Sequence, residues 1–119
     1  MSYGLTPASP QTLISAQTAT TASGILFLRG RCERVTVVVE GTGTTSSGVV
    51  TIEEAYYDLD AGQPVYAGTW GPIATVNATD VSGGKQLVTH VAGSFWAVRC
   101  RVSTTIGGGG TVTVVAWGN

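Results

Sequence analysis

The chain repeats one rhythm: a short β-branched run with apolar residues at every second position, then a cluster of Gly, Ser, Asn, Asp or Pro. That period of two is the signature of half-buried strands. It predicts about eight of them, over 11–18, 23–29, 34–40, 48–57, 65–76, 86–92, 95–104 and 111–117. In 34–40, Val35, Val37 and Val39 share one face, and Thr36, Val38 and Glu40 the other. In 95–104, Trp96, Val98, Cys100 and Val102 oppose Phe95, Ala97, Arg99, Arg101 and Ser103. Two arginines two residues apart cannot both enter an apolar core, so the Trp96 face is expected to point inward. The last run sets Val112, Val114 and Ala116 against Thr113, Val115 and Trp117. No segment combines helix caps with an apolar stripe of period 3.6.

Alternation falters at 48–57. Val50 and Ile52 would carry Glu54 into the core, so a bulge near Glu53-Glu54 is expected, turning Ala55 and Tyr57 inward and leaving both acids in water. Gly41 to Gly48 reads as an exposed turn, and Gly107 to Gly110 as a flexible hairpin tip. Residues 1–10, bracketed by Pro7 and Pro10, read as an extended arm before a single domain over 11–119. Eight short strands with turns every 8–14 residues predict an all-β fold, an antiparallel sandwich of jelly-roll type, with a small closed barrel as second choice.

Composition sharpens this. Thr and Val fill 34 of 119 positions, and their branched Cβ atoms favour a pleated surface. Only 11% of residues are charged and the net charge is -1, which excludes disorder and leaves no basic footprint for nucleic acid. No apolar run is long enough for a membrane-spanning helix. The start, Met1 to Pro7, lacks the basic and apolar regions of a signal peptide, so synthesis and folding in a cytoplasm are expected.

Candidate chemistry is sparse. His90 is the single imidazole, lies inside a strand pattern, and reads as structural. With one His and the two separated cysteines Cys32 and Cys100, no zinc set is spelled out. Those cysteines are either free, buried thiols or one cross-strand bridge. Glu53 and Glu54 are adjacent, which sends them to opposite faces rather than into one cleft. Asp58 to Gly62 lacks the later Glu of a calcium loop, and Asn77-Ala78-Thr79 reads as a chance sequon in a Thr-rich chain. No catalytic residue, cofactor, metal, membrane or small-molecule substrate is therefore expected.

The aromatics and arginines are more informative. Five of six cations are arginine, in the windows Arg29, Arg31, Arg34 and Arg99, Arg101. The row Phe95, Ala97, Arg99, Arg101 has the composition of an interface hot spot, or else of cross-strand ion pairing on a solvated face. Trp70, Trp96, Trp117, Tyr56, Tyr57 and Tyr66 could in part stack on sugars, or else fill core and interface positions.

The Pro-bracketed arm, the Thr/Val/Gly-rich sandwich and the run from Gly93 to Val114 resemble small virion proteins of tailed phages, best the head decoration, or cement, proteins. The match covers about the last fifth of the chain, more weakly Gly41 to Tyr57. The resemblance implies a non-enzymatic protein on the outer surface of the capsid, bound to the major capsid protein and stabilising its shell, as a dimer or trimer. Tyr3, Leu5, Pro7, Pro10, Phe95, Arg99, Arg101 and Trp117 are then the expected contacts to capsid or sister copies. A carbohydrate-binding or host-recognition module of a tail fibre is the alternative reading.

Overall fold

The structure, a computed structural model, describes residues 10–55, 57–58, 63–64 and 70–119, with the backbone alone at 22, 57–58 and 63–64. Among the described residues ten strands run β1 (Gln11–Gln17), β2 (Thr21–Phe27), β3 (Arg34–Thr42), β4 (Ser47–Ala55), β5 (Tyr57–Asp58), β6 (Gln63–Pro64), β7 (Gly71–Asn77), β8 (Gln86–Ala92), β9 (Ala97–Gly107) and β10 (Thr111–Gly118). One 3₁₀ turn, Ala78–Val81, follows β7. The first sheet has the order β1-β10-β3-β8 and the second β2-β9-β4-β7, while β5 and β6 form a small ribbon. Every pairing is antiparallel.

The two four-stranded sheets form the expected sandwich. Val35, Val37, Val39, Val112, Val114 and Ala116 of the first sheet are fully buried, as are Val50, Ile52, Val98, Cys100 and Val102 of the second. The alternation read from 34–40, from 111–117 and from Val98 to Ser103 in β9 thus holds. Each buried valine contributes about 1.5–3 kcal/mol relative to exposure. In β1 the alternation is interrupted by register shifts on both sides of Ile14, which is why Leu13 and Ile14 are buried in succession. The chain then crosses to the second sheet within three residues, and Ile106 N–H donates to Thr18 O at 2.8 Å to hold that corner.

Two expectations are corrected. No bulge separates Glu53 from Glu54: Ile52, Glu53, Glu54 and Ala55 run in step with Cys100, Arg99, Val98 and Ala97. The slip falls instead against β7, where Ile52 faces Ala74 but Glu53 faces Pro72. A proline there gives the ladder no N–H, and β7 is an edge strand that tolerates it. Ala55 is buried, but in the outward row of Glu53 and not turned inward, and the Tyr57 side chain lies outside the described residues; Glu54 is partly exposed, and Glu53 is only 5% exposed rather than in water. Second, Phe95 and Trp96 exchange roles. Phe95 joins the core cluster and Trp96 is partly exposed. The reason is local: β9 begins at Ala97, so alternation does not extend back through the preceding loop. Leu28 and Arg29 N–H both donate to Trp96 O, and Gly30 N–H to Phe95 O, fixing that loop. Gly93, with φ 147°, gives the Phe95 ring its room, since a Cβ there would stand 2.9 Å from Cζ.

The far end of the sandwich is tied together. Thr45, fully buried, donates its hydroxyl to Ala78 O at 2.6 Å, and its N–H donates to Ser82 Oγ at 3.0 Å. The glycine tip belongs to this network and is not a free loop. Gly110 N–H donates to Thr44 O at 2.7 Å, and Ser46 N–H to Gly107 O at 2.9 Å. Gly108 and Gly109 take φ values of 98° and 89°, which only glycine adopts cheaply. A Cβ on Gly110 would collide with Thr42 O and Thr44 O. Replacing Gly110 by Ala should therefore lower unfolding stability by about 1–3 kcal/mol in urea denaturation. Gly24→Ala, where nothing lies within 4 Å of the new methyl, should lower it by no more than a few tenths.

Candidate functional site

On the outward side of the second sheet, β9 sets Arg99 and Arg101 two residues apart. In the neighbouring strand β4, Glu53 is the register partner of Arg99, and Thr51 that of Arg101. Cross-strand partners stand about 5 Å apart, so an acid opposite one arginine reaches both. Arg99 Nε donates to Glu53 Oε1 at 2.9 Å and Arg101 Nε donates to the same oxygen at 3.1 Å. The Glu53 side chain is 6% exposed, against 23% for Arg99 and 39% for Arg101. The two guanidinium groups thus roof the carboxylate.

Trp70 extends the cluster, with the Arg99 guanidinium 4.4 Å over its ring. Beside β9 on the other flank, Ile25 is the register partner of Arg99 and Phe27 that of Ala97. Phe27 is 48% exposed and Ile25 partly so. Exposed Pro72, facing Glu53 from β7, completes the row. Ala97, expected on the outer row, is fully buried, its small side chain shielded between Phe27 and Ala55 in register. At the end of the arginine row, the Thr51 and Ser103 hydroxyls bond each other at 2.6 Å. Among the described residues, the two cations and one anion of this cluster leave a surplus of one positive charge.

The structure distributes the expected contact residues unevenly. Arg99 and Arg101 come together. Phe95 is withdrawn into the core, because it precedes β9 rather than belonging to it. Trp117 is partly buried and stands opposite Thr36 in the first sheet, on the other side of the molecule from the arginines. Pro10 is exposed just before β1, while Tyr3, Leu5 and Pro7 lie outside the described residues. Glu53, Trp70, Phe27 and Ile25 were not among the expected contacts. The alternation of β4 and β9, paired strand to strand, carries the signal for Glu53, since it puts the acid on the arginine face.

His90 and Cys32 lie apart from this cluster in the sequence, and Cys100 lies between its two arginines. His90 is exposed on the first sheet with Nδ1 2.9 Å from Thr36 Oγ1. Cys32 and Cys100 are both free and buried, in agreement with the first of the two readings above. Cys32 Sγ lies 3.6 Å from Gly93 O. Burial, and secondarily the charge of Glu53, push the Cys100 thiol up to about 12. Among the described residues, no three His, Cys, Asp or Glu side chains gather in a metal-holding group.

No protein-family model matches the chain, and no curated protein matches it in sequence. Among solved structures, it is similar to that of SPBc2 prophage-derived protein YomS, at 13% identity and a TM-score of 0.50. The match covers 94% of this chain and 95% of that one. At that identity the likeness is one of fold.

Two outcomes follow from the cluster. Glu53→Gln should cost about 1–2 kcal/mol in urea denaturation, the loss being moderated because both arginines keep access to water. Glu54→Gln should cost clearly less. For Cys100, the folded thiol ionises at about 12 and the unfolded one at 9.0, so the unfolded chain loses its proton first. Stability should accordingly be intact below pH 9 and fall as pH rises toward about 12, a slope that Cys100→Ala reduces.

Proposed function

We propose that this protein is a non-enzymatic structural protein of a phage virion, a decoration protein that binds the outer surface of the major capsid protein shell and stabilises it. The observation that carries the reading is the likeness of fold, over nearly the full length of both chains, to a prophage-derived protein. The strand order supports treating the sandwich as a jelly roll. Consecutive main strands lie in opposite sheets at every connection except β4 to β7, so the chain is wound around its core. That architecture is common in capsid proteins.

The physical chemistry of the surface agrees with a docking role. Thr, Val, Ala and Gly have few rotamers to freeze, so a rigid sandwich built from them loses little entropy on association. Copies acting as a dimer or trimer on a symmetric shell gain avidity without new contacts. The arginine row supplies groups enriched at interfaces. In this reading residues 1–10 add further contacts to the capsid surface.

The test is co-sedimentation with assembled heads of the encoding phage from which this protein has been removed. Saturable binding, with occupancy in proportion to capsid subunits, is the expected result. Deleting residues 1–10 should weaken the apparent affinity by about tenfold or more. Absence of head binding, together with binding of the isolated protein to glycans, would replace this reading with that of a host-recognition module.

A further inference from the structure

We infer that the outer face of the second sheet is a receptor for a carboxylate side chain of a partner protein, with Arg99 and Arg101 as its donors and Phe27, Ile25 and Pro72 as its apolar rim. The inference rests on the decoration reading for who the partner is, a capsid subunit. The carboxylate chemistry rests on the patch alone.

The argument begins with donor accounting. A guanidinium carries five N–H donors, one on Nε and four on the two Nη atoms. Glu53 Oε1 takes the Nε donor of each arginine. Among the described residues, the Nη groups of Arg99 and Arg101 meet no hydrogen-bond acceptor. The same buried carboxylate that holds both side chains in place therefore leaves the forked ends available. Such a fork matches the two oxygens of a carboxylate.

Charge and surroundings select the occupant. One anion against two cations leaves a single positive charge, which one carboxylate neutralises. A nucleic acid needs a run of cations, and this chain has a net charge of -1. The rim is apolar: Phe27 is 48% exposed, Pro72 is exposed and Ile25 partly so, and all three share the register rows of Arg99 or Ala97. Arginine and aromatic groups with an apolar margin are what a protein partner meets at the centre of an interface. The arginines are also pre-ordered, Arg99 by Glu53 and the ring of Trp70, and Arg101 by Glu53, so less rotamer entropy is lost on binding.

The experiment follows the arginine Nε–Hε signals by NMR in the full-length protein, using as probe a blocked peptide in which two Glu residues alternate with Leu and Pro. The peptide should shift the Arg99 and Arg101 signals and the Ile25 and Phe27 amides in a saturable way. Its Gln counterpart should bind about tenfold more weakly, the equivalent of one charge-assisted hydrogen bond. Arg101→Lys, at the more exposed arginine, keeps the charge but removes the fork; it should weaken peptide binding severalfold while lowering the unfolding midpoint less than Glu53→Gln does. Equal binding of the Glu and Gln peptides, shifts confined to other residues, or tighter binding of a single-stranded oligonucleotide would each overturn the inference. Head co-sedimentation separates it from the decoration reading. Heads bound equally by wild type and Arg101→Lys would remove the patch but keep that reading; peptide binding without head binding would do the reverse.

Discussion

A two-residue repeat of valine and threonine leaves each strand with one wet side and one that must leave water. Everything else in this protein follows from satisfying that demand eight times over. A single sheet would expose a continuous apolar face, so two sheets close on each other, and the seam between them holds the zero-exposure residues from Val35 to Ala116. Because the side chains are branched and short, the layer has little freedom to rearrange. Register shifts interrupt the ladders in β1, in β2, at the start of β4 and against β7, and alternation stops short of Phe95 before β9.

Most of this architecture was legible in the sequence. The existence and approximate span of the main strands followed from period two and from turn residues, and the inward faces of β3, β10 and most of β9 were read correctly. What escaped was information that no strand holds by itself. Phe95 continues the alternation of β9 on paper, yet β9 starts only at Ala97, and the residues before it are held by hydrogen bonds from Leu28, Arg29 and Gly30, distant in sequence. The Glu53-Glu54 pair invited a bulge because a buried carboxylate is costly. The chain instead keeps its register with β9, slips only against β7, and lowers the cost by pairing.

The same example explains how far the site could be read. The arginine pair was visible as composition, and both candidate roles for it, interface and ion pairing, rest on the same atoms. Its character depends on the identity of the strand opposite, and pairing β9 with β4 is a fact of topology. Once that pairing is known, Glu53 becomes the keystone beneath both guanidinium groups. Trp70 reaches the cluster from just before the edge strand β7, a long-range placement with no period to announce it. The described residues thus convert a row of like charges, which alone would repel, into an ordered, nearly balanced surface.

The tied end of the sandwich bears on where the molecule could accept foreign sequence. Its glycine tip is wedged among carbonyls of residues 42 and 44, so lengthening it would pull on the β3–β4 connection as well. At Gly83 and Gly84, by contrast, an added Cβ would meet nothing within 4 Å, and this turn between the 3₁₀ turn and β8 is held by a bond from Gly83 N–H to Gly43 O at 2.9 Å. A peptide spliced between those two glycines would hang from the edge of the first sheet, far from the arginine face on the second, and so offers a site for display that leaves the docking side clear.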